Sequence, residues 1–465
     1  MNMNVKPLSI AILLLLSGCQ SLSDYQRPAT NLPDQYRTQD ALGSQTTSVV
    51  NNAPDWWQPL ISIQLQQALN EAIHNNLSLQ ASEKALAQAN AFYQAQQAGF
   101  NTPKVDATVT GQTLRANPSS LGQQGAGREF ELYQVGLTAK YQFDLSGSQQ
   151  QTLKALAAKT DYQHWQFQAN QHSLIGQWLL TAVLIAKADA QSQATQDIIA
   201  LQAQQLSIAQ QREKLGIGQE IDVIALQTQL AQTQSTLPAL IKQQQQLTHL
   251  LAALSGSSAS TFNLSAVRLS DFVLPTTQAL TLPSQLIQQR PDILASEALV
   301  KAAHAEHGLS LTRYYPNITL SASTGSQALT TAALFGSGTA IWSLMTQVTQ
   351  PLFDASLPEQ ERAALLGFEA ASLRYQQVVI DAMRQVADSL SAIEQDQHTL
   401  THLNQAEKSA QMLITITDKQ YQLGTASYLQ LLSAQQQLAQ IRLQRIQLSA
   451  QQIINQINLE LALGR

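Results

Sequence analysis

Residues 133–143 read Tyr-Gln-Val-Gly-Leu-Thr-Ala-Lys-Tyr-Gln-Phe, and apolar and polar side chains alternate along nearly the whole stretch. Alternation with a period of two predicts a β-strand that has one apolar and one polar face. A strand of about ten residues is long enough to cross a lipid bilayer at a tilt. Residues 105–114 show the same alternation. The two stretches therefore predict a strand hairpin.

The hairpin occurs twice, because the chain is a tandem duplication with a spacing of roughly 210 residues. The matching segments are Pro103-Lys104-Val105 with Pro316-Asn317-Ile318, Gly111 with Gly325, Phe143-Asp144 with Phe353-Asp354, and Leu215-Gly216 with Leu423-Gly424. The spacing falls from 214 (325 less 111) to 209 (342 less 133, for Tyr133 and Trp342). We assign this length difference to the hairpin loop, where insertions are tolerated.

The pattern divides the chain into five parts. These are a signal peptide (1–18), an N-terminal tether (19–59), repeat 1 (60–255, with a hairpin at 103–145), an equatorial linker (256–282) and repeat 2 (283–465, with a hairpin at 316–353). Helical spacing predicts one helix over 60–99, long helices over 146–215 and 358–423, and returning helices over 219–254 and 427–463. Residues 256–290 are expected to form a small mixed α/β structure.

Cys19 is the only cysteine, and it follows a short apolar run that is typical of a signal peptide rather than of a spanning helix. Leu16-Ser17-Gly18-Cys19 matches the lipobox of bacterial lipoproteins. We predict that Cys19 is acylated and that Gln20, which is not Asp, directs the protein to the outer membrane. The alternative is an ordinary signal peptide that contains a cysteine. Beyond this lipid, no cofactor is predicted.

Four strands alone cannot form a stable sheet in lipid, because the two edges would leave backbone groups unsatisfied. Closed barrels begin at about eight strands. A homotrimer would supply about twelve, with the apolar faces toward lipid and the polar faces toward water. The long helices would then form a hollow helical barrel. A soluble antiparallel sheet packed on helices is the alternative.

The chain resembles the outer-membrane efflux protein family of TolC-like and OprM-like exit ducts, in its NodT-type lipoprotein branch. The residues that carry the resemblance are Asp55-Trp56-Trp57, Arg290-Pro291-Asp292-Ile293, Tyr315-Pro316-Asn317-Ile318, Gln350-Pro351-Leu352-Phe353-Asp354 and Tyr421-Gln422-Leu423-Gly424-Thr425. The resemblance implies a mixed α and β membrane protein: a trimeric transmembrane β-barrel, with four strands per chain, continuous with a long periplasmic α-helical barrel. It also implies a periplasmic adaptor protein and a proton-driven inner-membrane pump as partners.

The resemblance further implies a gate at the periplasmic tip. Tyr421 matches the family's tip tyrosine, whereas the arginine that follows it in the family is replaced by Gln422. Two positions that are often acidic in the family are occupied by Gln430 and Ser433. An ion pair from residue 422 and an acidic ring in repeat 2 are therefore not expected.

In repeat 1, Glu220 and Asp222 follow the equivalent turn and Arg212 precedes it. Our hypothesis is that Glu220 or Asp222 supplies the acidic constriction, and the alternative is that both are ordinary solvated charges. The tip turns themselves are predicted at Gly216, Gly218 and Gly424.

Other functions have weaker support. The net charge of −5 does not favour nucleic acid as a partner. His304 and His307 could chelate a metal from one helix, but they do not form the HExxH pattern, and a solvated helix face is the preferred interpretation. We predict no enzyme, since no phosphate-binding loop or nucleophile elbow is present. The predicted function is an exit duct that passively conducts drugs or other small molecules. The alternatives are a coiled-coil structural lipoprotein without a pore, and a duct for metal or protein export.

Overall fold

The structure is a computed structural model that describes residues 24–29, 55–117, 126–264, 266–275 and 289–464. The predicted signal peptide and the predicted lipidation site Cys19 lie outside these residues. The helices are α1 (Ile63–Asn75), α2 (Leu77–Asn101), α3 (Ser148–Lys214), α4 (Glu220–Leu254), α5 (Pro291–Thr312), α6 (Leu357–Gln422) and α7 (Tyr428–Leu463). The strands are β1 (Lys104–Ala116), β2 (Arg128–Phe143), β3 (Asn317–Ala328) and β4 (Ala340–Thr349).

The two hairpins and the two long helices are confirmed, with 67 residues in α3 and 66 in α6. Neither helix contains a proline beyond its first turn, so the backbone hydrogen bonds run without interruption. One 18-residue window of α3 is apolar enough to cross a membrane, but 61% of it is buried inside the protein. Packing against other helices therefore accounts for its apolar character.

The prediction of one continuous helix over 60–99 is wrong. The chain instead forms α1 and α2, which are separated at Asn76 in an extended conformation (φ −66°, ψ 115°). The Asn76 carbonyl oxygen Oδ1 accepts from the Leu79 amide at 2.8 Å, and Nδ2 donates to the Leu254 carbonyl at 2.8 Å. The side chain thus caps α2 and ties it to the end of α4. Asn favours the start of a helix, and this preference outweighs the helical spacing of the apolar residues.

The linker differs from the expected α/β structure. Its described residues contain a single 3-10 turn, Leu269–Asp271, and one isolated antiparallel bridge, between Ile61 and Phe272. Phe272 is buried, and the described part of the linker therefore packs as an irregular segment on the helical core.

The chain divides into two compact units, and each contains segments of both predicted repeats. The first holds residues 88–161 and 297–375, including the sheet, together with 24–29. The second holds most of the helical residues. Its core contains Trp57 and Trp178, which are 1% and 0% exposed, and the Trp178 indole donates to Ser255 at 3.0 Å.

The four strands form one antiparallel sheet in the order β1-β2-β3-β4. Lys104 pairs with Lys140 in the first hairpin, and Asn317 pairs with Thr349 in the second. The hairpins join through β2 and β3, where eleven residue pairs run from Tyr133 to Phe143. Both repeats therefore contribute equally to one continuous sheet.

The register corrects one match between the repeats. Gly111 lies opposite Tyr133, and Thr324 lies opposite Trp342. Since Tyr133 corresponds to Trp342, Gly111 corresponds to Thr324 rather than to Gly325. A shift of one residue would place equivalent side chains on opposite faces of the sheet. The offset is therefore 213 residues between β1 and β3 (324 less 111) and 209 between β2 and β4 (342 less 133).

Gly136 and Gly325 face each other where β2 and β3 approach closely. A Cβ atom on Gly325 would lie 2.3 Å from the Val135 carbonyl oxygen, and one on Gly136 would lie 2.8 Å from the Thr324 carbonyl oxygen. Backbone atoms in a ladder cannot move aside independently. The joint between the two hairpins therefore requires glycine at both positions.

We predict that Gly325→Ala destabilises the sheet by about 1–3 kcal/mol, because the new methyl group meets backbone rather than a mobile side chain. Urea unfolding in detergent, followed by the circular dichroism of the strands, measures this change. The matched control is Gly367→Ala on α6, where a Cβ atom would meet nothing within 4 Å. The control should leave stability unchanged or raise it by up to about 1 kcal/mol. Equal stability of the two variants would contradict the close approach of β2 and β3.

Candidate functional site: the strand sheet and the helical turns

One face of the sheet is apolar across all four strands. The register places Val105, Ala139, Ala322 and Leu344 in one row. The remaining members of this apolar face include Ala107, Val109, Val135, Leu137, Tyr141, Phe143, Ile318, Leu320, Trp342 and Val348. Trp342 is 81% exposed and Val109 is 78% exposed. Since these side chains stay exposed after the chain folds, they require an apolar medium such as lipid.

The opposite face is mostly polar. Its members include Asp106, Thr108, Thr110, Gln134, Thr138, Lys140, Ser321, Ser323, Ser343 and Gln347. The hydroxyl groups of Ser323 and Ser343 hydrogen-bond across two strands at 2.7 Å. An apolar outer face with a polar inner face is the arrangement of a water-filled barrel in the outer membrane.

Aromatic side chains lie near both ends of the apolar face. Tyr133 and Trp342 lie toward the hairpin loops, and Tyr141 and Phe143 lie toward the helices. Ten residues at about 3.3 Å each give about 33 Å along the strand, or about 23 Å across the membrane at a tilt of about 45°. This span agrees with the apolar band of about 25 Å, bounded by aromatic girdles, in outer-membrane barrels.

The sheet has two open edges. Within the described residues, β1 pairs only with β2 and β4 pairs only with β3. Half of the backbone donors and acceptors of each edge strand therefore have no partner in the sheet. Lipid supplies no hydrogen bonds, so these edges must pair with further strands in a membrane.

A Phe-Asp pair marks each junction between strand and long helix. Asp144 follows β2, and its carboxylate accepts from the backbone amides of Gln149 and Gln150 at 3.0 and 2.9 Å. Asp354 follows β4 and accepts from both the hydroxyl and the amide of Ser356, at 2.7 and 2.9 Å. Hydrogen bonds from the hydroxyl and then the amide of Ser356 hold the pKa of Asp354 below its ordinary value. The Asp144 carboxylate thus caps the first turn of α3, whereas the Asp354 carboxylate holds Ser356, the residue that precedes α6.

Sequence reasoning missed the roles of both aspartates, although it matched Phe143-Asp144 with Phe353-Asp354 as parts of the repeat. An aspartate a few residues before a long helical stretch is a common start signal, and it could have identified the role of Asp144.

The turn after α3 is a Schellman motif. Gly216 has a positive φ of 71°, and its amide donates to the Glu213 carbonyl at 2.9 Å. The Ile217 amide donates to the Arg212 carbonyl at 3.0 Å. A Cβ atom on Gly218 would lie 2.8 Å from the Glu213 nitrogen. The left-handed backbone at Gly216 and the close approach at Gly218 therefore both favour glycine at this turn.

The turn after α6 repeats this geometry. Gly424 has a φ of 74°, its amide donates to the Tyr421 carbonyl at 2.9 Å, and the Thr425 amide donates to the Gln420 carbonyl at 2.8 Å. The left-handed conformation explains why glycine occupies the same position in both turns.

Gln430, one of the polar replacements in repeat 2, has a structural partner in Ser427. The Gln430 side chain accepts from the Ser427 amide at 2.8 Å, and the Ser427 hydroxyl accepts from the Gln430 amide at 3.3 Å. This capping box starts α7 with a neutral residue. The Tyr421 and Tyr428 rings lie 5.1 Å apart between centroids, so Tyr421 packs against the returning helix. It is 42% exposed and retains a surface for a neighbour.

The charged tip residues of repeat 1 are available to solvent. Glu220 and Asp222 are exposed in the first turn of α4, where carboxylates also favour the positive end of the helix dipole. Among the described residues, neither forms an ion pair with Arg212 or another basic side chain. Gln422 donates to Asp418 at 2.9 Å, one turn back on α6. A single chain thus places these groups at the turns but does not bring them into contact.

The described part of the N-terminal tether packs on α5. Arg27 Nη2 lies 2.6 Å from Glu297 Oε2, and Lys301 Nζ lies 3.2 Å from Glu297 Oε1. The Glu297 side chain is only 5% exposed, and the Lys301 ammonium lies 5.6 Å from the centre of the Tyr25 ring. Burial, followed by the charge of Glu297, raises the pKa of Tyr25 above its ordinary value.

Arg290, in the motif Arg290-Pro291-Asp292-Ile293, connects three helices. Its buried guanidinium donates to Asp292 at 3.0 and 2.6 Å, to the Ala462 carbonyl at 2.8 Å and to Gln385 at 3.0 Å. The arginine therefore ties the start of α5 to the end of α7 and to α6. A bidentate contact of this kind requires the planar fork of arginine rather than lysine.

His172 lines a cavity of about 490 Å³ beside Arg290 and Asp292. Its ring lies 6.0 Å from the Trp56 ring. Burial, together with the neighbouring Arg290 cation, lowers the pKa of His172 to about 4. Among the described residues, no group of three or more His, Cys, Asp or Glu could hold a metal ion.

Comparison with known proteins identifies the family. Residues 68–257 and 282–465 match the family described as outer membrane efflux protein. The chain belongs to the outer membrane efflux protein family. It is an outer-membrane channel of the efflux class, as the resemblance in sequence predicted.

Two relatives show how far the similarity extends. The chain is 28% identical to the solvent efflux pump outer membrane protein SrpC of Pseudomonas putida, over 99% of this chain and 98% of SrpC. It is 26% identical to the probable outer membrane lipoprotein SilC of Salmonella typhimurium, over 99% of this chain and 98% of SilC.

The fold has a close counterpart among solved structures. The outer-membrane channel OprN superposes with a TM-score of 0.86 and 22% identity, over 96% of this chain and 99% of that channel. The arrangement of four strands and long helices is therefore the fold of outer-membrane efflux channels.

We predict that His172 makes the folded protein less stable as the pH falls. Its pKa is about 4 in the folded state, and about 6.5 is expected after unfolding. Below pH 6.5 the unfolded chain gains a proton that the folded chain does not, so stability is lost between about pH 6.5 and 4, by about 3 kcal/mol. Unfolding curves at pH 7.5 and pH 4.5 for the native protein and for His172→Gln measure the loss of stability that His172 causes. If the variant loses as much stability as the native protein, His172 does not titrate in this way.

Proposed function

We propose that three copies of the chain close their sheets into one barrel of twelve strands, which serves as the exit duct of a tripartite efflux pump. The open edges of β1 and β4, together with the apolar outer face, support this proposal. Eight strands are about the minimum for a closed barrel, and sixteen or more enclose the wide channels of porins. Three copies of a four-strand sheet give twelve, which leaves room for an aqueous channel.

The helices would continue the duct into the periplasm, and the transport through it would be passive. A periplasmic adaptor protein would dock at the helical turns, and an inner-membrane, proton-driven pump would supply the energy. The polar inner face, rich in Thr, Ser and Gln, suits cargo that passes without being held. Because SrpC is a solvent efflux protein, small organic molecules such as solvents or drugs are the cargo class that we propose.

We further propose that Cys19 carries covalent lipid. The lipobox sequence supports this, and the similarity to SilC, a probable outer membrane lipoprotein, adds to it. The acyl chains would anchor the mature N-terminus in the outer membrane, because two chains already suffice for stable attachment.

The test is purification from outer membranes in mild detergent, followed by mass measurement and planar bilayer recording. We expect a particle of three chains that conducts ions, and an N-terminal peptide whose mass includes acyl chains on Cys19. A particle of one chain without conductance would overturn the duct and favour a structural lipoprotein. A conducting trimer with an unmodified N-terminus would contradict only the proposed lipid on Cys19.

The tip gate is a separate part of the proposal. In the trimer, Glu220 and Asp222 of three chains would form an acidic ring at the turns, and Tyr421 would help to hold the tip closed. Both carboxylates are exposed and form no ion pair with the residues that the structure describes, which supports this role. Their position in the first turn of α4 provides the competing explanation, which is helix stabilisation alone.

We predict that Glu220→Ala with Asp222→Ala lowers the preference of the duct for cations over anions several-fold, since a ring of like charges concentrates counter-ions in a narrow opening. Reversal potentials in a salt gradient across a bilayer measure this preference. The control is Glu213→Ala, an acidic residue on the other side of the same turn. Unchanged conductance and unchanged selectivity in the double variant would show that these carboxylates are ordinary surface charges.

A further inference from the structure

We propose a specific register for the strands that join one copy of the chain to the next: β4 pairs antiparallel with β1 of a second copy, with Gln347 opposite Thr110 and Val348 opposite Val109. This inference rests on the proposed trimer and adds to it the residues that form its seam. It follows from the internal duplication and from the register within one chain.

The two hairpins are equivalent in their pairing. Lys104 opposite Lys140 in the first hairpin corresponds to Asn317 opposite Thr349 in the second. The offsets of 213 residues from β1 to β3 (317 less 104) and 209 from β2 to β4 (349 less 140) therefore hold at this end of the hairpin as they do at the other. Both offsets keep the apolar side chains on one face.

The equivalence extends to the seam. In a closed trimer, β4 meets β1 of the next copy in the way that β2 meets β3 within the chain. Thr138 pairs with Ser323 across β2 and β3. Adding 209 to the first residue and subtracting 213 from the second gives Gln347 and Thr110. The same step takes Ala139 opposite Ala322 to Val348 opposite Val109.

The side chains fit this register. Val348 and Val109 are 62% and 78% exposed in the single chain, and both belong to the apolar face. The register thus joins two exposed apolar residues, and such a cross-strand pair stabilises a sheet.

Other registers fit less well. A slip of one residue would turn the apolar face of one copy toward the polar face of the next. A slip of two residues keeps the faces but places Val348 opposite Ala107 or Gly111, and so loses the contact between the two valines. The glycine pair at the joint between β2 and β3 has no counterpart here, because the equivalent positions are Met345 and Gln112. The seam between copies therefore has more room than the joint within the chain.

Disulfide formation tests the register. The chain has no natural cysteine besides Cys19, so engineered pairs are unambiguous. Gln347→Cys with Thr110→Cys, on the polar face that water reaches, should link copies into covalent trimers when oxidised. The matched pair Thr138→Cys with Ser323→Cys occupies the equivalent position within one chain and should close without a change in mass. Directly opposed Cβ atoms lie about 4.5–5.5 Å apart, within reach of a disulfide, whereas diagonal neighbours lie about 7–8 Å apart.

The slipped pairs are Gln347→Cys with Thr108→Cys and Gln347→Cys with Gln112→Cys. We expect covalent trimers from either pair to be about tenfold fewer than from the predicted pair. Higher yield from a slipped pair would overturn the register while leaving the duct intact. The register would also be overturned if Gln347→Cys with Thr110→Cys forms trimers but no disulfide between copies, while Thr138→Cys with Ser323→Cys forms its disulfide within the chain.

Two measurements distinguish a failure of the proposed register from a failure of the proposed function. Non-covalent trimers and conductance, recorded before oxidation, report on the proposed duct independently of any disulfide. If Gln347→Cys with Thr110→Cys fails to assemble, Val348→Cys with Val109→Cys tests the same register on the lipid-facing side. A chain that is monomeric and non-conducting even without engineered cysteines would contradict the proposed function, and the register with it.

Discussion

Backbone hydrogen bonding in lipid is the constraint on which the rest of this protein depends. Inside a bilayer each unpaired amide or carbonyl costs several kcal/mol, so a sheet with open edges is unstable there. The sheet of this chain has four strands, an apolar face that is exposed to the surroundings, and two edges that the described residues do not pair. Assembly is therefore a condition of membrane insertion rather than a later refinement.

The internal duplication determines how that condition can be met. Each repeat supplies one hairpin, and the joint between the hairpins is an antiparallel pairing of β2 with β3. A second copy can extend the sheet by the same pairing, because β4 and β1 repeat the roles of β2 and β3. An aspartate also follows the second strand of each hairpin. Asp144 caps the first turn of α3, and Asp354 holds Ser356, the residue before α6.

The repeats diverge where the chain turns back at the ends of α3 and α6. Both turns share a glycine in the left-handed conformation and the same pattern of backbone hydrogen bonds. Their side chains differ, since Glu220 and Asp222 begin α4 whereas the neutral capping box of Ser427 and Gln430 begins α7. The two turns thus share one backbone conformation, whereas the charge of the side chains that follow them differs between the repeats.

Much of the fold could be predicted from the sequence, because alternation and repetition are strong local signals. The period of two along 133–143 identified the strand and its apolar face, and long stretches without a proline beyond the first turn identified α3 and α6. The break at Asn76 could not be predicted, since it depends on a hydrogen bond to Leu254, distant in sequence. The match of Gly111 with Gly325 failed by one residue because residue identity was compared without strand register. Family resemblance located Tyr421 and Gln422, and the repeat located Glu220 and Asp222, but the sequence did not predict the capping box of Ser427 and Gln430.

Hydrogen exchange in the assembled, membrane-embedded protein tests the central claim most directly. If β1 and β4 pair with neighbouring copies, amides in Lys104–Ala116 and Ala340–Thr349 should exchange as slowly as those in Arg128–Phe143 and Asn317–Ala328. If instead the sheet stands alone, every second amide of the two edge strands should exchange rapidly while β2 and β3 remain protected. That second result would contradict closure of the barrel between copies.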